Sequence, residues 1–581
     1  MDNPSLAEHH PRAKTRFVTY LSLHWPLWVA LAALWATTAI IQYLAALRTQ
    51  GHLIYALDDA YIHMAMAKNL AQHGVYGVTR FEFSSSSSSP LWTLLLALCY
   101  FLFGVHESFP FIIDLVVSSL TLVAAYFLLN GIVNKKILML GVLLALVFLT
   151  PMPLLIASGM EHPLHILFVI LFLSFATRTI TDDAESRNSS SLAILFLLCV
   201  GTVMARFESY ALVFIVSGLL AIRGRWKIAL GVSISAIVPL ILYQMISVAN
   251  GWRWLPNSIL VRAGAQDSGI NSMDSIVLVP LTSPQFRKFI LTRWNTILDA
   301  PYLAVLLGSA VLILVYSWRR SKRFWTQEHV MLVSYILVVL AHVQFGRVGQ
   351  FFRYEAYLIA LGIFVLARCS VGLFGVLKQW MATSRARAVG GAIVLLLALQ
   401  LTVPLLTRCI VALPLIPSAS RNIYQQQYQM GLFLQRYYND GTVAANDIGA
   451  ICFLADVHLV DLVGLASADI YRLRESNEFN TDQVLNLCDR KQVSVVIAYA
   501  LWLDFEGLSG FRRAWTRVGA WKINDNVVCG SDVVSFYAAK PDQERPLTEN
   551  LHRFSMILPP GVGYWVRSDV VPDSSGTRTP R

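Results

Sequence analysis

Along most of this chain a long uncharged apolar run is followed by a short basic cluster, and that alternation excludes most folds. Of its 581 residues 56% are hydrophobic and only 14% charged, with a mean hydropathy of +0.56. A soluble core of this size cannot bury that much apolar surface, so lipid must be part of the solvent. The net charge of +11 does not point to nucleic acid. The basic residues sit between apolar runs and not on one polar face, which is the positive-inside pattern, and nucleic acid is not expected as a partner. Seven cysteines are scattered without a Cys-x-x-Cys pair or a Cys/His cluster at metal spacing, so neither a zinc site nor a disulfide framework is indicated. Cys488 and Cys529 are the two that an extracytoplasmic location would allow to pair.

The run 26–47 is long enough to span a bilayer and lacks a cleavage site, which makes it an anchor and not a cleaved signal. Further spans fall at 109–129, 137–149, 163–176, 192–205, 209–222, 228–248, 301–316, 329–345, 354–373 and 389–413, about eleven in all. With the basic amino terminus in the cytoplasm, Lys135 and Lys136, Arg223 to Lys227, Arg319 to Arg323, and Lys378 to Arg387 all land inside. This holds only if the apolar stretch 90–104 does not cross and lies in the outer leaflet instead. Asp58 and Asp59, the loops 158–161, 206–208, 251–300 and 346–353, and everything after about residue 414 then share the extracytoplasmic side. The expected organisation is a cytoplasmic tail 1–25, a transmembrane domain 26–415 with a first outer loop 48–108, a small α/β domain 416–558 and a loose tail 559–581. Within the α/β domain, 442–445, 459–462 and 493–498 read as buried strands and 425–438 as a helix.

The most informative polar feature is the adjacent pair Asp58 and Asp59, directly after the first span. Acids at a lipid boundary are costly to place and usually serve a substrate, an ion or a proton. They open a juxtamembrane helix that Gly74 is placed to stop. Capping that helix explains one aspartate and leaves the other unexplained.

The order Asp58-Asp59-Ala60-Tyr61-Ile62, Ser89-Pro90-Leu91-Trp92-Thr93, Ser158-Gly159-Met160-Glu161, Ala205-Arg206-x-Glu208 and Leu255-Pro256-Asn257-Ser258 resembles GT-C fold membrane glycosyltransferases. The likeness is greatest to the bacterial branch that includes mycobacterial arabinofuranosyltransferases. Asn446-Asp447-Ile448-Gly449-Ala450 and Asp461-Leu462-Val463-Gly464-Leu465 extend it into the carboxy-terminal domain. The resemblance implies a polytopic α-helical GT-C-like membrane protein with an extracytoplasmic α/β domain, in the plasma membrane. It implies transfer of a sugar from a polyprenyl-phosphate donor to a cell-envelope glycan or lipid acceptor, with inversion. Two departures bear on which sugar. The six-serine run Ser84–Ser89 replaces the usual turn and reads as a flexible loop, and Gly349-Gln350-Phe351-Phe352-Arg353-Tyr354 stands where arabinofuranosyl enzymes have an acidic segment.

A sugar phosphate carries a good leaving group, so the reaction needs a base for the acceptor hydroxyl and cations for the departing phosphate, not a second acid. Asp58 or Asp59 fits the base, Asp58 being favoured by the resemblance. The neighbour orients the acceptor or holds a divalent cation; no cofactor is required, and a metal role at Asp59 stays open. Arg253, Arg262 and Arg353 are the outward cations suited to the lipid phosphate. Glu161, His162, Arg206, Glu208, Trp252 and Asn257 are the substrate-binding candidates. Against this, Glu161 and His162 equally read as a helix end, Arg206 with Glu208 as a structural ion pair, and Trp252 with Trp254 as interfacial belt residues. His63 reads as a polar-face residue, and Asp447 and Asp461 as turn residues. A rival function is a transporter or flippase using Asp58 and Asp59 as a proton or cation site. No internal repeat or matching pair of broken helices supports it. A scaffold role would leave the acid pair without a job.

Overall fold

The computed structural model describes residues 22–182, 189–254, 300–370 and 384–568. Each of the eleven expected spans overlaps a helix, although in the tenth the helix is only Ala356–Cys369. Among the described residues, eight helices are long and apolar enough to cross a membrane, from Trp25–Arg48 to Thr402–Tyr437. Ser189–Ala205, Phe207–Ile222 and Ala356–Cys369 are shorter apolar helices. The first helix shows why lipid is needed. Leu27, Ala30, Leu34, Ile41 and Ala45 pack inward, yet Trp28, Trp35, Ile40, Tyr43 and Leu47 on the other faces are exposed and equally apolar. A helix that is hydrophobic all round is stable only when its outer face meets hydrocarbon.

Pro90–Phe103 is a separate short helix of 14 residues, started by Pro90 at its first position and by the Ser89 hydroxyl, which accepts from the Trp92 N–H at 3.3 Å. At 1.5 Å per residue it is about 21 Å long, short of a hydrocarbon core of about 30 Å. Trp92, Leu96 and Tyr100 pack inward while Leu98, Phe101 and Phe103 stay exposed. The acid-pair helix Asp59–His73 packs against it and stops at Gly74, whose left-handed φ of +70° suits glycine.

The run Ser84–Ser89 is not a flexible loop. All six serines are buried, and their hydroxyls are used internally. Ser84 accepts from the Val78 N–H at 3.0 Å, Ser86 donates to the Leu465 carbonyl at 3.0 Å, and Ser87 meets the Thr93 hydroxyl at 3.1 Å. A buried hydroxyl without a partner is costly, so this run is ordered by its neighbours and not by its own composition.

The last membrane helix does not end at the surface. Ser384–Ile423 continues through a π-helical turn, Tyr424–Tyr428, into Gln429–Tyr437, so one rod carries the chain from the membrane part into the carboxy-terminal domain. That domain holds a six-stranded sheet ordered β2-β1-β3-β5-β4-β6, with β1 Thr442–Ala445, β2 His458–Asp461, β3 Val495–Ala498, β4 Thr516–Lys522, β5 Val533–Ala538 and β6 Gly563–Val566. The first three strands pair in parallel and the rest antiparallel. Strand β6 corrects the expected loose tail: residues after 559 are ordered by pairing with β4 through Val566 opposite Gly519 and Tyr564 opposite Trp521. Residues 569–581 lie outside the described residues. Cys488 and Cys529 are free thiols, Cys488 buried under the sheet and Cys529 against Gln427.

Phe433, on the rod, sits within 5.8 Å of the rings of Trp521, Phe536 and Phe554, centroid to centroid. Truncating such a residue to alanine costs about 3–5 kcal/mol. The same apolar core runs without a break from these aromatics through Ile448 and Ile451 to Tyr61, Met64 and Ala65 on the acid-pair helix. The domain is thereby seated directly on the helix that carries Asp58 and Asp59.

Candidate active site

Asp58 does not cap its own helix with its side chain. It stands at the cap position, and its carboxylate turns instead to the carboxy-terminal domain. Oδ2 accepts the backbone N–H of Gly449 and Oδ1 that of Ala450, both at 2.8 Å. The fit depends on glycine: a Cβ at position 449 would lie 2.1 Å from the Asp58 carbonyl oxygen and 2.8 Å from its carboxylate. Burial, and next the charge of Asp447, push the Asp58 pKa up to about 7, while the two N–H groups oppose the rise. Asp447 is raised too, by burial, although it accepts from Gln427 Nε2 at 2.8 Å and from the Tyr499 hydroxyl at 2.5 Å.

Asp59 faces the other way. Its Oδ2 accepts from Arg353 Nη2 at 2.6 Å, and the Asp59 side chain is 41% exposed while that of Arg353 is 5%. Arg353 also reaches Met160 Sδ and lies 5.1 Å from the Tyr354 ring centre. Its Nε has no hydrogen-bond partner among the described residues. The segment that presents Arg353 is unusual. Gly349, Gln350, Phe351 and Phe352 have φ of +82°, +47°, +61° and +61°, a left-handed turn in which three residues carry side chains. Such positions cost about 1–3 kcal/mol each and persist only when their surroundings impose them. Here Glu355 does so. It accepts from the Gly349 N–H, the Tyr302 hydroxyl and Arg408 Nη2, and Arg408 also donates to the Phe352 carbonyl.

Behind this pair lies a buried ionic block. Arg206 grips Glu208 with two parallel bonds, Nε at 3.1 Å and Nη2 at 2.5 Å, and its Nη1 pairs with Glu161 and approaches His162 Nε2 at 3.4 Å. Glu161 is fully buried and also receives the Ser88 hydroxyl at 3.4 Å, with His63 Nε2 3.6 Å away. His63 is therefore not a polar-face residue; it is buried under the short helix, with Nδ1 3.1 Å from the Thr93 hydroxyl. Four sequence candidates, Glu161, His162, Arg206 and Glu208, thus form one cluster, and Arg353 joins it to Asp59 through Tyr354, whose ring is 5.7 Å from Arg206.

The remaining candidates lie elsewhere. Arg253 pairs with Glu475 of the carboxy-terminal domain, and Arg262 and Asn257 are outside the described residues. Trp252 is buried, its indole N–H donating to the Phe83 carbonyl at 3.1 Å, whereas Trp254 is exposed. Trp252 lines a cavity of about 730 Å³ with Tyr76, Phe81, Arg472 and Lys491, at the far end of the acid-pair helix. Asp461 ends β2 and its side chain holds the turn that follows, accepting the N–H groups of Val463 and Ala466 at 2.9 and 2.7 Å; burial raises its pKa to about 6. Among the described residues no group of three or more His, Cys, Asp or Glu side chains is placed to hold a metal ion. Gly449, Ala450, Gln427 and Tyr499 were not among the sequence candidates. For Gly449 and Ala450 the signal was the Asn446–Ala450 motif itself, whose glycine marks a close approach; Gln427 and Tyr499 had none.

A domain of unknown function, DUF8728, matches residues 421–537, which include the whole turn that holds Asp58 and also Tyr499. No curated protein matches the chain. Among solved structures, it is similar to the crystal structure of ArnT from Cupriavidus metallidurans bound to undecaprenyl phosphate, at 11% identity and a TM-score of 0.46, over 89% of this chain and 98% of that one.

Proposed function

We propose that this multi-pass membrane protein is an inverting glycosyltransferase that takes a sugar from a polyprenyl-phosphate carrier and passes it to a glycan or lipid acceptor on the extracytoplasmic face. The observation that carries the reading is the juxtaposition, at the membrane boundary, of a proton-accepting carboxylate, Asp58, with a buried guanidinium, Arg353, through its neighbour Asp59. Asp58 takes the proton of an acceptor hydroxyl as that oxygen bonds to the anomeric carbon. The bond from that carbon to the phosphate oxygen breaks on the opposite face, so the configuration inverts and the electron pair leaves with the polyprenyl phosphate. A carboxylate titrating near pH 7 is poised to accept that proton at neutral pH. Arg353, held by Asp59 at Nη2, is the cation placed beside that carboxylate to receive the departing phosphate. The motif order from Asp58 to Glu208 supports the same reading.

The test is acceptor-dependent release of polyprenyl phosphate by the purified protein from a panel of polyprenyl-phosphate-linked sugars. Proton- or cation-coupled uptake into vesicles that requires Asp58 and consumes no carrier would favour a transporter instead. The compartment is tested separately. A cysteine at the exposed Ser476 should react with an impermeant thiol reagent in intact spheroplasts, and one at the exposed Ser321 should not.

A further inference from the structure

Asp58 owes its orientation to the carboxy-terminal domain more than to its own helix. Two backbone N–H groups fix both carboxylate oxygens at 2.8 Å. The apolar core beneath them, from Tyr61 to Ile448, Ala450 and Ile451, is shared by the two parts. Gln427, from the rod, and Tyr499, following β3, hold Asp447 in the same turn. We propose that the turn 446–450 is a working part of the active centre, with Gly449 and Ala450 as positioning residues for the Asp58 carboxylate and Asp447 setting the charge that Asp58 faces when it takes a proton. This rests on the glycosyltransfer reading for its catalytic meaning, but not for its geometry.

The titratable groups facing Asp58 are Asp59 and Tyr61 from its own helix and Asp447, Cys452, Tyr499 and Cys529 from the domain. Of the two carboxylates among them, Asp59 is matched by Arg353, whereas Asp447 accepts from two neutral donors, Gln427 and Tyr499. Asp447 is therefore the charge through which the domain bears on Asp58. Replacing it by asparagine keeps an oxygen for Gln427 and Tyr499 and removes the negative charge, so Asp58 should release its proton at lower pH.

The experiment is an infrared titration of the full-length protein in lipid nanodiscs, with the carboxyl band of Asp58 identified by its loss in Asp58→Asn. The expected midpoint is about 7 in the unaltered protein. In Asp447→Asn it should fall by about one pH unit or more. Gly449→Ala, whose methyl group must displace the carboxylate, should shift the band and lower transfer about a hundredfold. An unmoved midpoint in Asp447→Asn, or a Gly449→Ala protein that keeps both midpoint and turnover, would overturn the inference. The titration uses no sugar donor. A shifted midpoint without any transfer activity would therefore keep the positioning and remove the glycosyltransfer reading, and transfer with an unmoved midpoint would do the reverse.

Discussion

Asp58 and Asp59 share a peptide bond but are held by opposite parts of the molecule and by different physics. The turn 446–450 holds Asp58 with neutral backbone donors, whereas the left-handed segment before Arg353 holds Asp59 with a full positive charge. Neutral donors orient a carboxylate without cancelling its charge, so burial and the nearby Asp447 still lift Asp58 into the range where it exchanges protons at neutral pH. A guanidinium orients and compensates at once, and on the proposed reading it is also the cation for the departing phosphate. Adjacent carboxylates with unlike surroundings can therefore divide the work: one moves a proton and the other fixes an arginine.

The comparison is broken most severely behind Asp59, in the buried block. Arg206→Ala takes the guanidinium partner from the fully buried Glu161, the breaking of a buried ion pair that costs about 3–5 kcal/mol, and it should lower the unfolding midpoint and the yield of folded protein sharply. An unfolding curve like that of the unaltered protein would show that the Arg206–Glu161 pair does not hold this block together. Arg353→Ala touches a partner that is 41% exposed and should leave folding largely intact. Its effect belongs on transfer, with a loss of roughly ten- to hundredfold for one charge-assisted bond of about 1.5–3 kcal/mol, and Arg353→Lys should recover part of it. Equal activity in all three proteins would make Arg353 a structural anchor only. Arg253 sharpens the contrast from the weak end. Its side chain is 54% exposed where it pairs with Glu475, so Arg253→Ala should change stability by less than about 1 kcal/mol, read from denaturant unfolding.

Much of the fold was legible because lipid imposes long uniform signals. The apolar runs, the stop at Gly74 and the parallel strands β1 to β3 are local patterns that burial enforces. Strand β4 was not legible, since Arg517, Gly519 and a register shift interrupt its alternation, and β6 lies on the sheet edge with Tyr564 and Trp565 exposed. The serine run misled because a polar tract normally faces water. Here its hydroxyls are satisfied by Val78, Thr93, Tyr243, Glu161 and Leu465, partners that composition cannot reveal. The acid pair itself stood out at once, but its division of labour did not. Asp58 meets its partners 391 and 392 positions away and Asp59 meets Arg353 294 positions away, and no local pattern encodes such contacts.

The central claim is that the two acids differ in kind, and it is tested most directly by comparing Asp58→Asn with Asp59→Asn in single-turnover transfer from a preloaded polyprenyl-phosphate sugar. Asp58→Asn should slow the chemical step about 10²- to 10⁴-fold while carrier binding persists, because the base is lost. Asp59→Asn should keep more of the chemical step and lose carrier affinity, because an amide oxygen holds Arg353 more weakly than a carboxylate does. Near-normal transfer in Asp58→Asn, with the chemical step abolished in Asp59→Asn, would place the base on the other carboxylate and contradict the account.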